Sequence, residues 1–469
     1  MIELTLPQIA AAVGGRVLGA PEQMTVSGEV VTDSREVTPG GLFVALRGAR
    51  VDGHHYLADA AGAGAVAALV TRHVPQAPLA QIQVRDTTRA LGDLARAVLS
   101  QLRTANPGPQ VVAITGSVGK TSTKDLIAAQ LEGLGEVIAP VGSYNNEVGL
   151  PLTVLRANAD TRVLVLEMGA DAPGNLTYLT SIAPPDLSLV LAVGRAHLGG
   201  FGSIEAVAEA KTELVTTTPA DGTVVLNADD PRVAAMASAS PAATLVRFGQ
   251  GEDADVRAAD IRLDAEGRAQ FVLAAGGRQA QVHLALIGAH HVTNALAAAS
   301  VALQLGQPLE QVAQVLGTTF ARSPHRMQVH RTEAGVKIID DAYNANPDSM
   351  RAALRALVQM TRGTGGRSVA VLGPMRELGP DSADEHRQVG VYAAQVGVDH
   401  LLAVEGEARP VADGALAAGL DPQAAVRATG ITEAVTSLRR YLRSGDVVLV
   451  KASNGVQLWR VVSELERSR

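Results

Sequence analysis

The chain has no cysteine among its 469 residues, which excludes disulfides and thiolate metal sites and makes a cytoplasmic setting the expectation. Aromatic residues are scarce at 3%, and the formal net charge is −7. Binding nucleic acid in bulk needs clustered basic residues and stacking platforms, so no nucleic-acid partner is expected. No apolar run approaches the roughly 18 to 20 residues that span a bilayer, and the opening Met1-Ile-Glu-Leu-Thr-Leu-Pro7 lacks the basic start and apolar stretch of a signal peptide. Membrane insertion is not expected either. The dinucleotide fingerprint G-x-G-x-x-G is missing. Lysine is rare: five of the 40 basic residues, Lys120, Lys124, Lys211, Lys337 and Lys451. Where charge alone is wanted the chain uses arginine, so the lysines are enriched for places where a compact or modifiable amine matters. Lys124 and Lys337 read as ordinary solvated charges.

What is present begins with Val111-Val-Ala-Ile-Thr-Gly-Ser-Val-Gly-Lys-Thr-Ser122. An apolar strand runs into a glycine turn and then a helix start. Gly116 and Gly119 let the backbone N–H groups of Ser117, Val118 and Ser122 approach phosphate oxygens, Lys120 reaches the terminal phosphates, and the Thr121 hydroxyl can ligate Mg²⁺. The ligand this implies is a nucleoside triphosphate, with ATP and Mg²⁺ the expected pair. The general pattern has a glycine where this chain has Ile114, so the loop is a short form; simple turn chemistry is the alternative.

At 469 residues the chain is too long for one core and suggests about three domains of roughly 150 residues. Pro- and Gly-bearing joints at Asn106-Pro-Gly-Pro109 and Ala321-Arg-Ser-Pro324 divide it into 1–107, 108–322 and 323–469. The fold expected is α/β throughout. A small N-terminal α/β domain has strands at 42–46, 66–70 and 82–84. A central P-loop ATPase-like parallel sheet has strands at 163–166 and 187–193 and helices at 203–217 and 290–305. A C-terminal doubly wound, Rossmann-like sheet has strands at 336–339, 369–372, 401–404 and 447–450.

Several polar residues follow strand ends, where ligands sit in open α/β sheets. Glu167 ends one strand and is either a magnesium partner or a carboxylate near a helix start. His197 lies in the glycine-rich Gly194-Arg-Ala-His-Leu-Gly-Gly-Phe-Gly-Ser203 and is either a metal ligand or a satisfied histidine. Lys211, in mid-helix, is a solvated charge or a desolvated amine that CO₂ converts to a carbamate able to serve Mg²⁺. Asp340-Asp-Ala-Tyr-Asn-Ala-Asn-Pro-Asp348 is a capped turn or a surface that closes on nucleotide and substrate. Asp33-Ser-Arg35 and Asp52-Gly-His-His55 are explained by Asx turns and caps.

Taken together the motifs resemble those of the Mur ligases of peptidoglycan synthesis over nearly the whole chain. The residues that carry the resemblance are Thr32-Asp-Ser-Arg-Glu-Val-Thr-Pro-Gly-Gly-Leu-Phe-Val-Ala-Leu-Arg-Gly48, the short phosphate loop, Ser143-Tyr-Asn-Asn-Glu-Val-Gly-Leu-Pro-Leu-Thr153, Glu167-Met-Gly-Ala170, Ala196-His-Leu-Gly-Gly-Phe-Gly-Ser203, Ile287-Gly-Ala-His-His-Val-Thr-Asn-Ala-Leu-Ala297 and Asp340 to Pro347. The first is shared with the tripeptide-forming branch. The segments at 143–153, 167–170 and 340–347 resemble the branch that adds D-alanyl-D-alanine to UDP-N-acetylmuramoyl-tripeptide.

The resemblance implies an ATP-dependent amide-forming enzyme, monomeric and cytoplasmic. It implies that Lys120 and Thr121 bind ATP phosphates and Mg²⁺, that Glu167 and His197 hold metal, and that Lys211 is the carbamylated position. It places His290 and Asn294 at the adenine, Arg326 and Asp341 on the nucleotide, Ser34 and Arg35 at the uridine diphosphate end, and Asn145, Asn146, Tyr343, Asn344 and Asn346 on substrate. Two positions depart from the family's usual residues: Pro374 stands where aspartate is usual, and Asn454 where arginine is common.

Overall fold

The computed structural model describes the chain except residues 20–22, 49–50, 106–107, 141, 196–197 and 468–469, and the side chains of 198 and 199. Among the described residues three large sheets form, each built from short β-branched and leucine-rich runs that glycine and proline interrupt. The first joint falls partly on Asn106 and Pro107, which lie outside the described residues.

The first sheet runs in the order Arg16–Leu18, Ala80–Gln83, Ala67–Val70, Leu42–Val44, Val30–Val31 and is parallel except at its first pair. Its chain leaves through the helix Thr87–Leu102, which Asp86 caps by accepting from Thr88 and Arg89 N–H at 2.8 and 3.1 Å. Leu91, Leu94, Ala95, Val98 and Leu102 fall at the i, i+3, i+4, i+7, i+11 spacing of one helix face and are buried. They join one apolar cluster with Leu150, Val154, Leu176 and Leu179 of the central segment. The helix is thus shared by both cores, and it fixes the first domain against the second.

The central sheet has nine strands, and its middle carries the loop. The strand Gln110–Thr115 lies between Thr161–Glu167 and Leu187–Val190, all parallel, so Thr115, Glu167 and Val190 end at the same sheet edge. A purely parallel sheet is expected from sequence; instead Arg268–Ala275 and Arg278–Ile287 run antiparallel beyond Val256–Leu263. In Arg268–Ala275 the buried positions Ala269, Phe271 and Leu273 alternate with partly exposed ones. That is the signature of an antiparallel strand, but flanking alanines soften the contrast with the polar face.

The third sheet has the order Gln328–Arg331, Lys337–Asp340, Val447–Lys451, Ser368–Leu372, His400–Val404, Ala425–Ala428, parallel except for the first strand. Helices cover both faces, and separate apolar clusters form on the two sides. No helix is long and apolar enough to cross a membrane among the described residues.

Candidate active site

Where the three domains meet there is a cleft of about 830 Å³. The phosphate loop forms its floor. Gly116 and Gly119 have φ of 154° and 85°, and a Cβ on Gly119 would come within 2.5 Å of Asn294 Oδ1. Only glycine meets both demands at position 119. Ser117 N–H donates to the Ala192 carbonyl at 2.9 Å, and Ser117 Oγ accepts from Gly194 N–H at 2.9 Å, which ties the loop to the exit of the next strand. The helix Lys120–Leu131 begins at Gly119 with no side-chain cap, leaving its first N–H groups open to an anion. Lys120 Nζ folds back on the Gly116 carbonyl at 2.7 Å. Burial lowers its pKa, while the Glu167 carboxylate raises it. Val118 and Thr121 line the cleft; Ser122, in the same first turn, does not.

Glu167 is fully buried at its strand end. Ser143 Oγ donates to its Oε2 at 3.1 Å, and Oε1 has no hydrogen-bond partner. A buried carboxylate oxygen without a donor is costly unless a cation completes it. The Glu167 carboxylate and the Thr121 hydroxyl are hard oxygen donors of the kind that Mg²⁺ takes. No cluster of three His, Asp or Glu residues forms a metal site among the described residues. His197 lies outside the described residues.

Lys211 lines the cleft from the helix Ile204–Thr216 and is 4% exposed. It has no hydrogen bond or ion pair among the described residues. Burial, with a smaller push from Lys120, lowers its pKa to about 7. The solvated-charge reading therefore fails for Lys211. It fails for Lys124 too, which is 2% exposed, donates to the Pro140 carbonyl at 2.7 Å and pairs with Asp125 at 2.8 Å. Asp125 Oδ2 accepts from Ser323 N–H at 2.9 Å, so the phosphate-loop helix holds the joint to the third domain.

The third domain supplies the opposite wall. Arg326 Nη2 donates to Thr121 Oγ1 at 2.9 Å, and its guanidinium lies 4.3 Å over the Tyr343 ring. Its neighbours His325 and Met327 have φ of 58° and 52°, a strained backbone that concentrates at functional sites. Tyr343 Oη accepts from Ser143 N–H at 3.2 Å. Asp341 does not line the cleft: one oxygen accepts from Met327 N–H at 3.2 Å and the other from Lys451 Nζ at 2.6 Å. Asn344, Asn346, Asn145 and Asn146 all line it. The Asn346 oxygen caps a helix at Ser349 N–H and the Asn146 oxygen accepts from Gly149 N–H, both at 2.9 Å, so the capped-turn reading holds alongside the cleft position.

His290, Asn294, Ser34 and Arg35 also stand apart from the cleft lining. His290 begins the helix His291–Gln304, and burial pushes its pKa to about 4, which leaves it neutral. Asn294 on that helix touches the phosphate loop at Gly119. Ser34 and Arg35 form an exposed turn in which Arg35 pairs with Asp33 at 2.5 Å. The first domain instead offers Asp86, Thr88 and Arg89 to the cleft, and the third offers Arg376 and Lys451. Of these only Lys451 carried a sequence signal, the rarity of lysine. The buried Pro374 accepts from Ser453 N–H at 3.0 Å, and Asn454 is exposed.

The chain matches family models described as Mur ligase family, catalytic domain (residues 28–98), Mur ligase middle domain (114–302) and Mur ligase, glutamate ligase domain (325–454). It is 47% identical to the UDP-N-acetylmuramoyl-tripeptide--D-alanyl-D-alanine ligase of Mycobacterium bovis, with 99% of this chain and 98% of that protein covered. Among solved structures, MurF from Acinetobacter baumannii superposes with a TM-score of 0.88 at 30% identity over 99% of both chains. MurF from Thermotoga maritima in complex with ADP gives 0.80 at 30% identity, covering 94% of this chain and 98% of that one. These matches span all three sheets and both sides of the cleft, and the chain belongs to the Mur ligase family.

Proposed function

We propose that this chain joins D-alanyl-D-alanine to UDP-N-acetylmuramoyl-tripeptide with ATP, forming an amide bond in cytoplasmic peptidoglycan precursor synthesis. The observation that carries the reading is the cleft in which an uncapped helix N-terminus, Lys120 and the third-domain Arg326 face one another, in a chain matched end to end by ligases of that name.

A carboxylate does not react with an amine at neutral pH, so it must first be activated. The terminal carboxylate of the tripeptide attacks the γ-phosphorus of ATP, ADP leaves, and an acyl phosphate forms. The dipeptide amine then attacks the acyl carbon, loses a proton, and inorganic phosphate departs. The loop N–H groups from Gly116 to Ser122 and the Lys120 ammonium hold the phosphates and offset the charge that moves between them. Thr121 and Glu167, with His197, would hold Mg²⁺, which supplies further neutralisation of phosphate charge when bound. Lys211, its pKa lowered to about 7, has a substantial neutral fraction near pH 7 and is the amine available to become a carbamate. Asn294 and His290 are assigned to the adenine, and Arg326, set over Tyr343 and donating to Thr121, is assigned with Asp341 to the nucleotide. Ser34 and Arg35 are assigned to the uridine diphosphate end, and Asn145, Asn146, Asn344 and Asn346 to the peptide. Closure of the third domain excludes the water that would hydrolyse the acyl phosphate.

Phosphate release measured with UDP-N-acetylmuramoyl-tripeptide, with and without D-alanyl-D-alanine, tests the reading. Dependence on both substrates is expected. Equal release without the dipeptide, or release that a single amino acid supports as well, refutes the acceptor assignment.

A further inference from the structure

The dipeptide acceptor brings a reactive amine at one end and a free carboxylate at the other, and the carboxylate needs a counter-charge away from the phosphates. The cations that line the cleft are mostly engaged: Lys120 on the Gly116 carbonyl, Arg89 over the Tyr178 ring at 4.1 Å, Arg326 on Thr121, and Lys451 on Asp341. Lys211 is held near neutrality and lies on the central-domain side. Arg376 differs. It is exposed, its charge is permanent, and among the described residues its guanidinium makes no hydrogen bond or ion pair.

Its backbone, by contrast, is held firmly. Arg376 N–H donates to Ser453 Oγ at 3.0 Å, and the preceding Met375, 1% exposed, donates its N–H to His386 Nε2 at 2.9 Å. His386 is itself fixed, its Nδ1 lying 2.6 Å from the Ser382 carbonyl. The following Glu377 has φ of 67°, a left-handed conformation rare for a residue with a Cβ. The guanidinium runs past Gly455, where a Cβ would stand 3.1 Å from Nη1. A rigid loop thus presents a free planar fork from the third-domain wall of the cleft. That fork matches a carboxylate in two parallel hydrogen bonds.

We propose that Arg376 binds the free carboxylate of the incoming dipeptide and so sets which acceptors are used. This rests on the amide-forming reading above. The test compares D-alanyl-D-alanine with its C-terminal amide in the wild type, Arg376→Ala and Arg376→Lys. The wild type should prefer the acid by about 10- to 100-fold in kcat/KM, the range of a charge-assisted hydrogen bond. Arg376→Ala should lose that preference through KM for the acid, with KM for ATP and for the UDP-tripeptide unchanged. Arg376→Lys should fall between, because it keeps charge but not the fork. A preference that survives intact in Arg376→Ala, or a loss that falls equally on ATP and donor, overturns the assignment while leaving amide formation in place. No product from either dipeptide with the wild type overturns both.

Discussion

Replacing Lys211 by methionine should stabilise the ligand-free protein while lowering its activity. The amine is buried without a partner, and its pKa falls from the ordinary 10.5 to about 7. Between those values the unfolded chain holds a proton that the native chain does not. Native stability therefore rises with pH across that window, and the full penalty is present below pH 7. A gap of about 3.5 pH units at roughly 1.4 kcal/mol each sets a ceiling of about 5 kcal/mol. Relaxation of neighbours and entry of water reduce this, so a gain of about 2 to 4 kcal/mol is expected at pH 6.5. Urea unfolding in bicarbonate-free buffer, followed by circular dichroism, measures it. The variant's advantage should shrink as pH is raised from 6.5 to 9.5, and added bicarbonate should shift only the wild type. Equal midpoints at pH 6.5, or a difference that does not change with pH, would refute the account of Lys211 as a desolvated, unpaired amine.

Lys120→Ala removes the cation that folds over the loop, and ADP release should drop to background; near-normal turnover in a coupled assay would sink the phosphate-loop assignment. Lys124→Met should destabilise the protein by about 3 to 5 kcal/mol, because it strips one partner from a buried pair, and hydrogen exchange should quicken around Ser323, which Asp125 holds. Arg195 bridges the central and third domains through Glu385 at 2.8 Å and, by its N–H, Asp348 at 3.0 Å. Arg195→Ala should lower kcat more than it changes the KM for ATP, and its effect should be non-additive with Glu385→Gln by about 0.5 to 3 kcal/mol; strict additivity would mean that the two do not act together.

Much of the floor of the site is legible in the sequence because it depends on local chemistry. The positive φ of Gly116 and Gly119 and the uncapped helix start follow from the order of residues in one loop, and strand ends at Thr115 and Glu167 follow from short apolar runs. The walls are less legible because they depend on which surfaces meet. Nothing near Lys124 in the sequence says that Pro140 and Ser323 enclose it. Nothing near Arg195 points to Glu385, 190 residues later. The helix Thr87–Leu102 reads from sequence as the end of the first domain, yet its apolar face belongs equally to the second. The antiparallel strands after Val256 were obscured by alanine, which suits either face of a sheet.

The charge distribution explains why a chain of net charge −7 can serve highly anionic substrates. Six cationic residues line the cleft, Arg89, Lys120, Lys211, Arg326, Arg376 and Lys451, against four acids, Asp86, Glu147, Asp171 and Glu377. The cations come from all three domains, so the positive surface is assembled only when the domains meet. Low-dielectric walls concentrate such a field, and the acidic exterior repels anions elsewhere. Three of the six are held in check by burial, since the pKa values of Lys120, Lys211 and Lys451 are all lowered. A bound triphosphate would favour their charged forms and the contacts across the domains at once. On the proposed reading, nucleotide binding and domain closure would be coupled by the same electrostatics, each strengthening the other to the same degree.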